Sequence, residues 1–399
     1  MNGEKRLLLL WANFGPYHLA RLEAAHRVGK LLGWQVGGLE LAGRQIVYPW
    51  AAAATRLPKL TLFPHQSVEE IAPRSYILRM VGALNRQRPD ALAICGYDRP
   101  AMIAALIWAK LRRTVTILMS ETKADDLPRS AWRERVKGWL YPRFDVALVG
   151  GSPHRDYAVS LGVPPDRVFL GYDVVDNHFY RRGAETVRAD AGTWRTALGL
   201  PRPFFLTVSR FIPKKNLLGL LQAYRLYREI AGPDPWDLVV CGAGPLEPVL
   251  RSNSAGLRGV HFPGFLQAPE LSRYYGLAGA FILASSHFEQ WGLVVNEAMA
   301  AGLPVLVSKT CGCSPDLVQE RMNGFTFDPY DVKSLARLMG KMSSDAVDLK
   351  TMGDASQRII AQWTPEVFAE NLLKAVDAAQ KDREGKKLRK FWWQLPCAL

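Results

Sequence analysis

Short apolar runs alternate with longer amphipathic runs along most of this 399-residue chain, and that alternation restricts the possible folds more than any other feature. In the first half, the apolar runs include RLLLLWA, ALAICGY, TVTILMS and VALVGG. They are separated by helical patterns such as PYHLARLEAAHRVGKLLG and RPAMIAALIWAKLRR. Near-continuous apolar strands are typical of a parallel sheet whose two faces are covered by helices. We therefore predict an α/β fold built from doubly wound sheets.

The alternation breaks off after Phe179 and restarts at PRPFFLTVSR, which indicates two domains. Residues 1–180 and 201–364 are predicted to be Rossmann-like domains, and residues 181–200, which lack a strand pattern, are predicted to be a hinge-like linker. Residues 365–399 are predicted to form a helix, over 365–382, that packs back on the N-terminal domain, and a basic aromatic tail. Ligands of such sheets bind at the carboxyl ends of strands, so we expect the two domains to face a cleft that holds the site.

The composition narrows the partners and the compartment. The formal net charge is +14, which indicates an anionic partner such as nucleic acid, an anionic membrane surface or a phosphate-bearing substrate. No basic stripe interleaved with stacking aromatics follows a strand, so nucleic acid is not expected. Five scattered cysteines predict no disulfide framework, and hence a cytoplasmic protein. Cys311 and Cys313 lack a second ligand pair, so no metal site is predicted.

The segment HFEQWGLVVNEAMAAGLPVLVS contains the main candidate functional residues of the second half. Its pattern predicts a loop holding Glu289, then a helix that contains Glu297 and ends at Gly302. The amino end of a helix offers unpaired N–H groups to an anion, and Gly292 allows a ligand to approach the backbone. Two carboxylates beside an anion site suit a ligand with phosphates and hydroxyls, such as a nucleotide sugar. The alternative is a solvated connection without a ligand.

The same segment resembles the E-x7-E motif of retaining nucleotide-sugar glycosyltransferases of GT-B fold, family 4 type. Glu289, Gly292, Glu297, Gly302 and Pro304 match that motif in register. The resemblance implies a metal-independent hexosyltransferase that moves a sugar from a UDP- or GDP-linked donor to a hydroxyl acceptor with retention. It implies no cofactor other than the donor, and a role in polysaccharide or glycolipid synthesis with a saccharide or lipid-linked acceptor.

The resemblance also assigns roles on the donor side. Glu289 would contact the transferred sugar and Glu297 the ribose, while Arg210 and Lys215 in VSRFIPKKNLLGLLQAY would hold the diphosphate. Two cations at that position would neutralise the charge that grows as the sugar–phosphate bond breaks. The remaining donor-binding candidates are Gly292, Leu293, Gly15, Gly242 of VVCGAGP and Gly264 of GVHFPGF.

The N-terminal half departs from the family pattern. Many relatives carry a histidine or aspartate after a middle strand, where this chain has Glu121 after TVTILMS. Glu121 is a candidate to position the acceptor or contact the transferred sugar, and Asp125, Asp126 and His18 are weaker acceptor-side candidates. The alternative is a polar loop with helix-capping acids.

Two basic aromatic segments remain outside this assignment, RSAWRERVKGWLYPRF and KKLRKFWW. Such segments suit peripheral contact with an anionic membrane, on its cytoplasmic face. The alternative is a basic helix that lies over the core with buried tryptophans. The sequence also leaves two rival functions open, a nucleotide-sugar epimerase and a non-catalytic GT-B scaffold that binds an anionic partner.

Overall fold

The computed structural model describes residues 4–45, 57–126, 128, 130–200 and 202–393, with the backbone alone for 385–393. The chain forms two compact units. The first unit contains residues 1–121, 129–173 and 365–399, and the second contains residues 122–128 and 174–364.

The first unit is built on a parallel seven-stranded sheet of order β3-β2-β1-β4-β5-β6-β7. The strands are β1 (Lys5–Trp11), β2 (Trp34–Arg44), β3 (Lys59–Ser67), β4 (Ala91–Cys95), β5 (Val115–Ser120), β6 (Val146–Val149) and β7 (Val168–Leu170). The helices are α1 (Pro16–Leu31), α2 (Pro73–Gln87), α3 (Pro100–Arg112), α4 (Ala131–Leu140), α5 (Ser152–Ser160) and the C-terminal α15 (Pro365–Trp393). The strand order reverses between β1 and β4, which makes that junction the switch point of the sheet.

The second unit is built on a parallel six-stranded sheet of order β10-β9-β8-β11-β12-β13. The strands are β8 (Phe204–Val208), β9 (Asp237–Cys241), β10 (Val260–Gly264), β11 (Ala280–Leu283), β12 (Val305–Ser308) and β13 (Gly324–Phe327). The helices are α6 (Asn177–Ala189), α7 (Ala191–Leu198), α8 (Leu217–Ile230), α9 (Glu247–Asn253), α10 (Ala268–Leu277), α11 (Leu293–Ala300), α12 (Ser314–Leu317), α13 (Val332–Met342) and α14 (Leu349–Ile360). The switch point lies between β8 and β11.

Both sheets are buried as their apolar strand sequences require. All six residues of β5 and all four of β11 are buried, and helices cover both faces of each sheet. The predicted α/β fold with two doubly wound units is therefore confirmed. The sequence patterns do not predict the strands β2 and β3 or the helix α2. For β2, the glycine-rich run WQVGGLELAGR contains a single β-branched residue, Val36, although such residues mark most strands.

The stretch 181–200 is not a linker, which corrects the prediction. It consists of α7 and most of α6, and α6 packs on α10 and α11 within the second unit. Tyr180, Ala184 and Val187 lie at helical spacing on α6 and are buried. The absence of a strand pattern does not distinguish a linker from an amphipathic helix, and these residues form such a helix. The C-terminal helix also runs to Trp393 and not to residue 382.

Asp145 connects α15 to the sheet of the first unit. Its Oδ2 accepts hydrogen bonds from the Thr116 N–H at 2.8 Å, the Thr116 hydroxyl at 2.7 Å and Arg383 Nη2 at 2.7 Å. Lys110 Nζ lies 3.2 Å from Oδ1. Burial alone would raise the pKa of Asp145, but Lys110, Thr116 and Arg383 together lower it below its usual value. The carboxylate is therefore ionised and holds two cations and a strand end together.

We predict that Asp145→Asn lowers the free energy of unfolding at neutral pH by about 2 kcal/mol, since hydrogen bonds to a charged group contribute about 1.5–3 kcal/mol. A lowered folded-state pKa stabilises above the unfolded-state pKa of about 3.9, and that stabilisation is lost as the pH falls through the lower folded-state value. Urea unfolding over a pH series should therefore show a larger acid-induced loss in wild type than in Asp145→Asn. The exposed Asp156→Asn is the control, and equal acid sensitivity of all three proteins would contradict this role.

Candidate active site

The loop between β11 and α11 forms the centre of the candidate site. It begins at the carboxyl end of β11, beside the switch point of the second sheet, and ends at Gly292, the N-cap of α11. Gly292 has φ +108°, and a Cβ at this position would lie 2.7 Å from Leu283 Cδ2. Only glycine fits this turn without strain, so the loop is held tightly against the strand that precedes it.

Glu289 lies in this loop, and its carboxylate is surrounded by donors of the second unit. The side chain is 7% exposed. Oε2 forms an ion pair with Lys215 Nζ and accepts a hydrogen bond from the Ser285 hydroxyl at 2.8 Å. Lys214 Nζ lies 3.9 Å from Oε1 and donates to the Phe288 carbonyl at 3.1 Å.

These contacts determine the charge state of Glu289. Burial alone would raise the pKa of this carboxyl, but the Lys215 and Lys214 ammonium groups, with hydrogen bonds from Lys215 and Ser285, lower the pKa below its usual value. Glu289 is therefore a nearly buried carboxylate that is ionised at neutral pH. Such a group accepts hydrogen bonds from hydroxyls and does not donate one.

The two lysines are positioned by the turn that follows β8. A 3₁₀ helix spans Pro213–Lys215, and Asn216 then takes a left-handed conformation with φ +51° before α8 begins. The Asn216 side chain donates to the Pro329 carbonyl at 2.9 Å and so anchors the turn. Arg210 lies half-buried in the same connection between β8 and α8. The structure thus brings Arg210, Lys215 and Glu289 into two loops at the carboxyl ends of adjacent strands, β8 and β11.

Glu297 lies in α11, five residues after Gly292, and its contact with the ribose stays a prediction. Its side chain is 1% exposed. Oε1 accepts a hydrogen bond from the Tyr180 hydroxyl at 3.0 Å, and Oε2 accepts one from the Tyr275 hydroxyl at 2.7 Å. The carboxylate therefore ties α11 to α6 and α10. Sequence patterns do not identify either tyrosine as a partner of Glu297. Tyr180 lies next to the stretch predicted to be a linker, and no motif surrounds Tyr275.

The two glycines predicted near the nucleotide lie together at neighbouring strand ends. The Gly242 N–H donates to the Gly264 carbonyl at 2.8 Å. Gly242 has φ +141°, and an added Cβ would lie 1.8 Å from the Ser209 carbonyl oxygen. Glycine is required at this point because the loop after β9 passes directly over the loop after β8. A Cβ on Gly264 would meet no atom within 4 Å, so that position borders open space.

The carboxyl edge of the first sheet holds a second polar cluster, near Gly15 and His18. The Gly15 N–H donates to His18 Nδ1 at 3.1 Å. Loss of solvent around the ring and then the Arg21 cation lower the pKa of His18, so its imidazole is neutral. Arg21 is buried, lies 4.4 Å from the Tyr172 ring centroid and pairs with Asp173 Oδ1 at 3.5 Å.

Glu121 belongs to this cluster through Asp173. Asp173 is 0% exposed, and burial and then Glu121 raise its pKa well above the usual value, against the opposing effect of Arg21. Asp173 thus neighbours Glu121 as well as Arg21, so the cluster holds two carboxyl groups beside one buried cation. The motifs in the sequence do not identify Asp173 as a candidate. Its position directly after β7 is the signal that would have identified it, because the ends of neighbouring strands meet at this edge.

The other two acceptor-side candidates are not part of that cluster. Residues 122–128 leave the first sheet after Glu121 and group with the second unit. Asp126 is 3% exposed and accepts from the Lys123 N–H at 3.3 Å, while the exposed Asp125 pairs with Lys123 Nζ. Within the described part of the chain, no three metal-ligating side chains come together.

Residues 192–359 match the family Glycosyl transferases group 1. This segment, which is somewhat less than half of the chain, has the sequence pattern of that family. It is 35% identical over 294 residues to sulfoquinovosyl transferase SQD2 of Arabidopsis thaliana, which covers 70% of this chain and 54% of SQD2. It is 30% identical over 248 residues to a GDP-mannose-dependent α-(1-6)-phosphatidylinositol monomannoside mannosyltransferase of Mycobacterium tuberculosis, which covers 59% of this chain and 63% of the relative. The match thus spans between about half and two thirds of these relatives.

The fold of this chain is the predicted GT-B fold. Anabaena HepE in complex with UDP is similar with a TM-score of 0.70, at 18% identity, over 94% of this chain and 100% of HepE. The sucrose-phosphate synthase of Thermosynechococcus elongatus is similar with a TM-score of 0.68, at 16% identity, over 98% of this chain and 100% of the synthase.

We predict that Tyr275→Phe lowers the free energy of unfolding by about 2 kcal/mol, because the buried Glu297 carboxylate loses a donor. The matched control is Tyr274→Phe on the same helix, whose hydroxyl makes no hydrogen bond to another described residue. That change should stay within about 0.5 kcal/mol of wild type. Chemical denaturation of the three proteins measures both values, and equal stability of the two variants would show that Glu297 does not anchor α11.

Proposed function

We propose that this chain is a retaining glycosyltransferase that moves a sugar from a UDP- or GDP-linked donor to a hydroxyl acceptor. The observation that carries the proposal is the ionised Glu289 between Lys214 and Lys215, immediately before the N-terminus of α11. An anion-binding helix end, two cations and an acceptor-only carboxylate within two loops match the phosphates and hydroxyls of a nucleotide sugar.

The proposed roles follow from charge. Arg210 and Lys215 bind the diphosphate and stabilise the negative charge that develops on it when the glycosidic bond breaks. The backbone N–H groups that follow Gly292, beginning at Leu293, bind the phosphate next to the sugar. Glu289 accepts hydrogen bonds from hydroxyls of the transferred sugar. The leaving phosphate then takes the proton of the acceptor hydroxyl.

The structure supports a change in the role proposed for Glu297. Because both of its oxygens accept tyrosine hydroxyls and the side chain is almost fully buried, we assign it to positioning α11 and thereby the phosphate-binding end of that helix. The ribose contact then falls to groups nearer Gly264, which borders open space.

The acceptor is proposed to be a saccharide or a lipid-linked saccharide, in polysaccharide or glycolipid synthesis on the cytoplasmic side of a membrane. The mycobacterial relative is named for a phosphatidylinositol mannoside acceptor, which supports the lipid-linked class. Among the described residues, no helix combines the length and the apolar character needed to cross a bilayer. Glu121, at the edge of the first sheet, is proposed to orient the acceptor hydroxyl, with Asp173 as its neighbour.

We predict that one of UDP, GDP or ADP, or a sugar nucleotide of the same base, raises the thermal unfolding temperature. A ligand at about 100 times its dissociation constant stabilises by about 2.7 kcal/mol. Lys215→Met should abolish the shift because the diphosphate loses a cation, whereas the control Arg225→Met, on the exposed side of α8, should retain it. If none of the nucleotides stabilises the wild type, the donor site proposed here does not exist.

We predict that Glu289→Gln lowers kcat by about 100-fold to 1000-fold, the usual loss when a charge-stabilising group is removed. Binding of the free nucleotide should be nearly unchanged, since Glu289 is assigned to the sugar. Release of the nucleoside diphosphate, measured with and without candidate acceptors, gives kcat. Release at the same rate without any acceptor would contradict transfer and favour the epimerase or a hydrolase.

A further inference from the structure

Helix α4 of the first unit exposes an apolar stripe to solvent. Trp132 is 70% exposed, Val136 42% and Trp139 59%. These residues are spaced four and three positions apart, which places them on one face of the helix. For α4 the alternative prediction of buried tryptophans is therefore wrong, whereas the side chains of the second segment, KKLRKFWW, lie outside those that the structure describes. Large exposed aromatic side chains in a contiguous row are uncommon on a protein surface and usually mark an interaction site.

The opposite face of α4 is anchored to the first unit. The Tyr157 hydroxyl of α5 donates to Glu134 Oε2 at 2.8 Å and accepts a hydrogen bond from Lys137 Nζ at 3.0 Å. Leu140, at the end of the helix, is 4% exposed. These contacts fix the rotation of α4 about its axis, so the tryptophan stripe faces outward.

The outward face of α4 is cationic as well as apolar. Arg133 and Arg135 are exposed on the helix beside the stripe. Arg143, in the 3₁₀ turn that follows, lies 3.3 Å from the Trp139 ring centroid and donates to the Trp139 carbonyl. The acid of this helix, Glu134, is engaged with Tyr157 and Lys137 on the inner side. We call the set Trp132, Arg133, Arg135, Val136, Trp139 and Arg143 the α4 surface.

A second basic aromatic segment begins close to this surface. Arg383 of α15 pairs with Asp145, two residues after Arg143. From that ion pair, α15 continues to Trp393 with the sequence KKLRKFWW in its last turns. Ten residues of helix extend about 15 Å. The first unit therefore carries two segments of like composition, and the second begins near the residues that follow the first.

We propose that the α4 surface docks on the face of a lipid bilayer that contains anionic lipids. The two indole rings and Val136 enter the headgroup region, where tryptophan is favoured, and the three arginines bind lipid phosphates. A lipid surface is favoured over nucleic acid because the stripe is continuous and apolar, with the cations at its margin. The inference extends the proposed function, since a docked enzyme meets a lipid-linked acceptor, but the docking can be measured without catalysis.

The test is co-sedimentation of the full chain with vesicles of phosphatidylcholine alone or of phosphatidylcholine mixed with phosphatidylglycerol. Wild type should bind the anionic vesicles and not the neutral ones. The double variant Trp132→Ala, Trp139→Ala and the triple variant Arg133→Gln, Arg135→Gln, Arg143→Gln should each bind about tenfold more weakly or worse. All six residues of the α4 surface lie outside the core, so the variants should keep the unfolding temperature of wild type.

Matched controls remove the same chemistry elsewhere. Leu31→Ala with Leu32→Ala removes two exposed apolar side chains of the first unit. Arg182→Gln, Arg225→Gln and Arg258→Gln together remove three exposed arginines of the second unit. Both control proteins should bind the anionic vesicles as wild type does.

Three outcomes would overturn the inference. They are no binding of wild type to anionic vesicles, equal losses in the control proteins, or tryptophan variants that bind normally while duplex DNA displaces the vesicles. The last result would identify the surface as a general polyanion site. A nucleotide thermal shift on every variant separates this test from the proposed function. If docking fails while the shift persists, only the docking inference falls.

Discussion

Both sheets are buried on both faces, and this burial determines where polar side chains can lie in each unit. Strands such as β5 and β11 lie wholly inside their units, so side chains along them must be apolar or fully hydrogen-bonded. Polar chemistry is thereby displaced to the strand ends. Since all strands in each sheet are parallel, the loops at their carboxyl ends meet at one edge. Glu289 and Lys215 in the second unit, like Glu121 and Asp173 in the first, lie at such edges.

The pKa of the buried carboxyl group is shifted in opposite directions at the two edges. In the second unit, lysines compensate Glu289 and lower its pKa, so it is ionised despite its burial. In the first unit, burial and then the neighbouring carboxyl group of Glu121 raise the pKa of Asp173 well above its usual value, against the opposing effect of Arg21. One edge therefore presents an acceptor of hydrogen bonds among cations, suited to a sugar phosphate. The other presents two neighbouring carboxyl groups, which we propose to contact the acceptor hydroxyl.

Motif spacing predicted the two loops that we propose to bind the donor, because their functional residues lie close together in the sequence. Glu289, Gly292 and the start of α11 lie within one turn, and Lys215 belongs to one short loop. The role of Glu297 was not predictable in the same way. Its partners Tyr180 and Tyr275 are 117 and 22 residues away, and no local pattern records such a distant hydrogen bond. The linker prediction failed for a related reason, because an amphipathic helix on a surface resembles a polar connection until its partner α10 is known.

The α/β class, the two units, the resemblance to the group 1 glycosyl transferases and the loop residues around Glu289 can be read from the sequence alone. Those properties follow from the period of hydrophobic residues and from short, rigid spacings. Which side chains are exposed, ionised or paired depends on the tertiary structure. It placed the tryptophans of α4 outside, enclosed Glu297 between two helices and brought Asp173 to Glu121. Exposure and pKa depend on every element packed around a group, and those elements come together only when the chain folds.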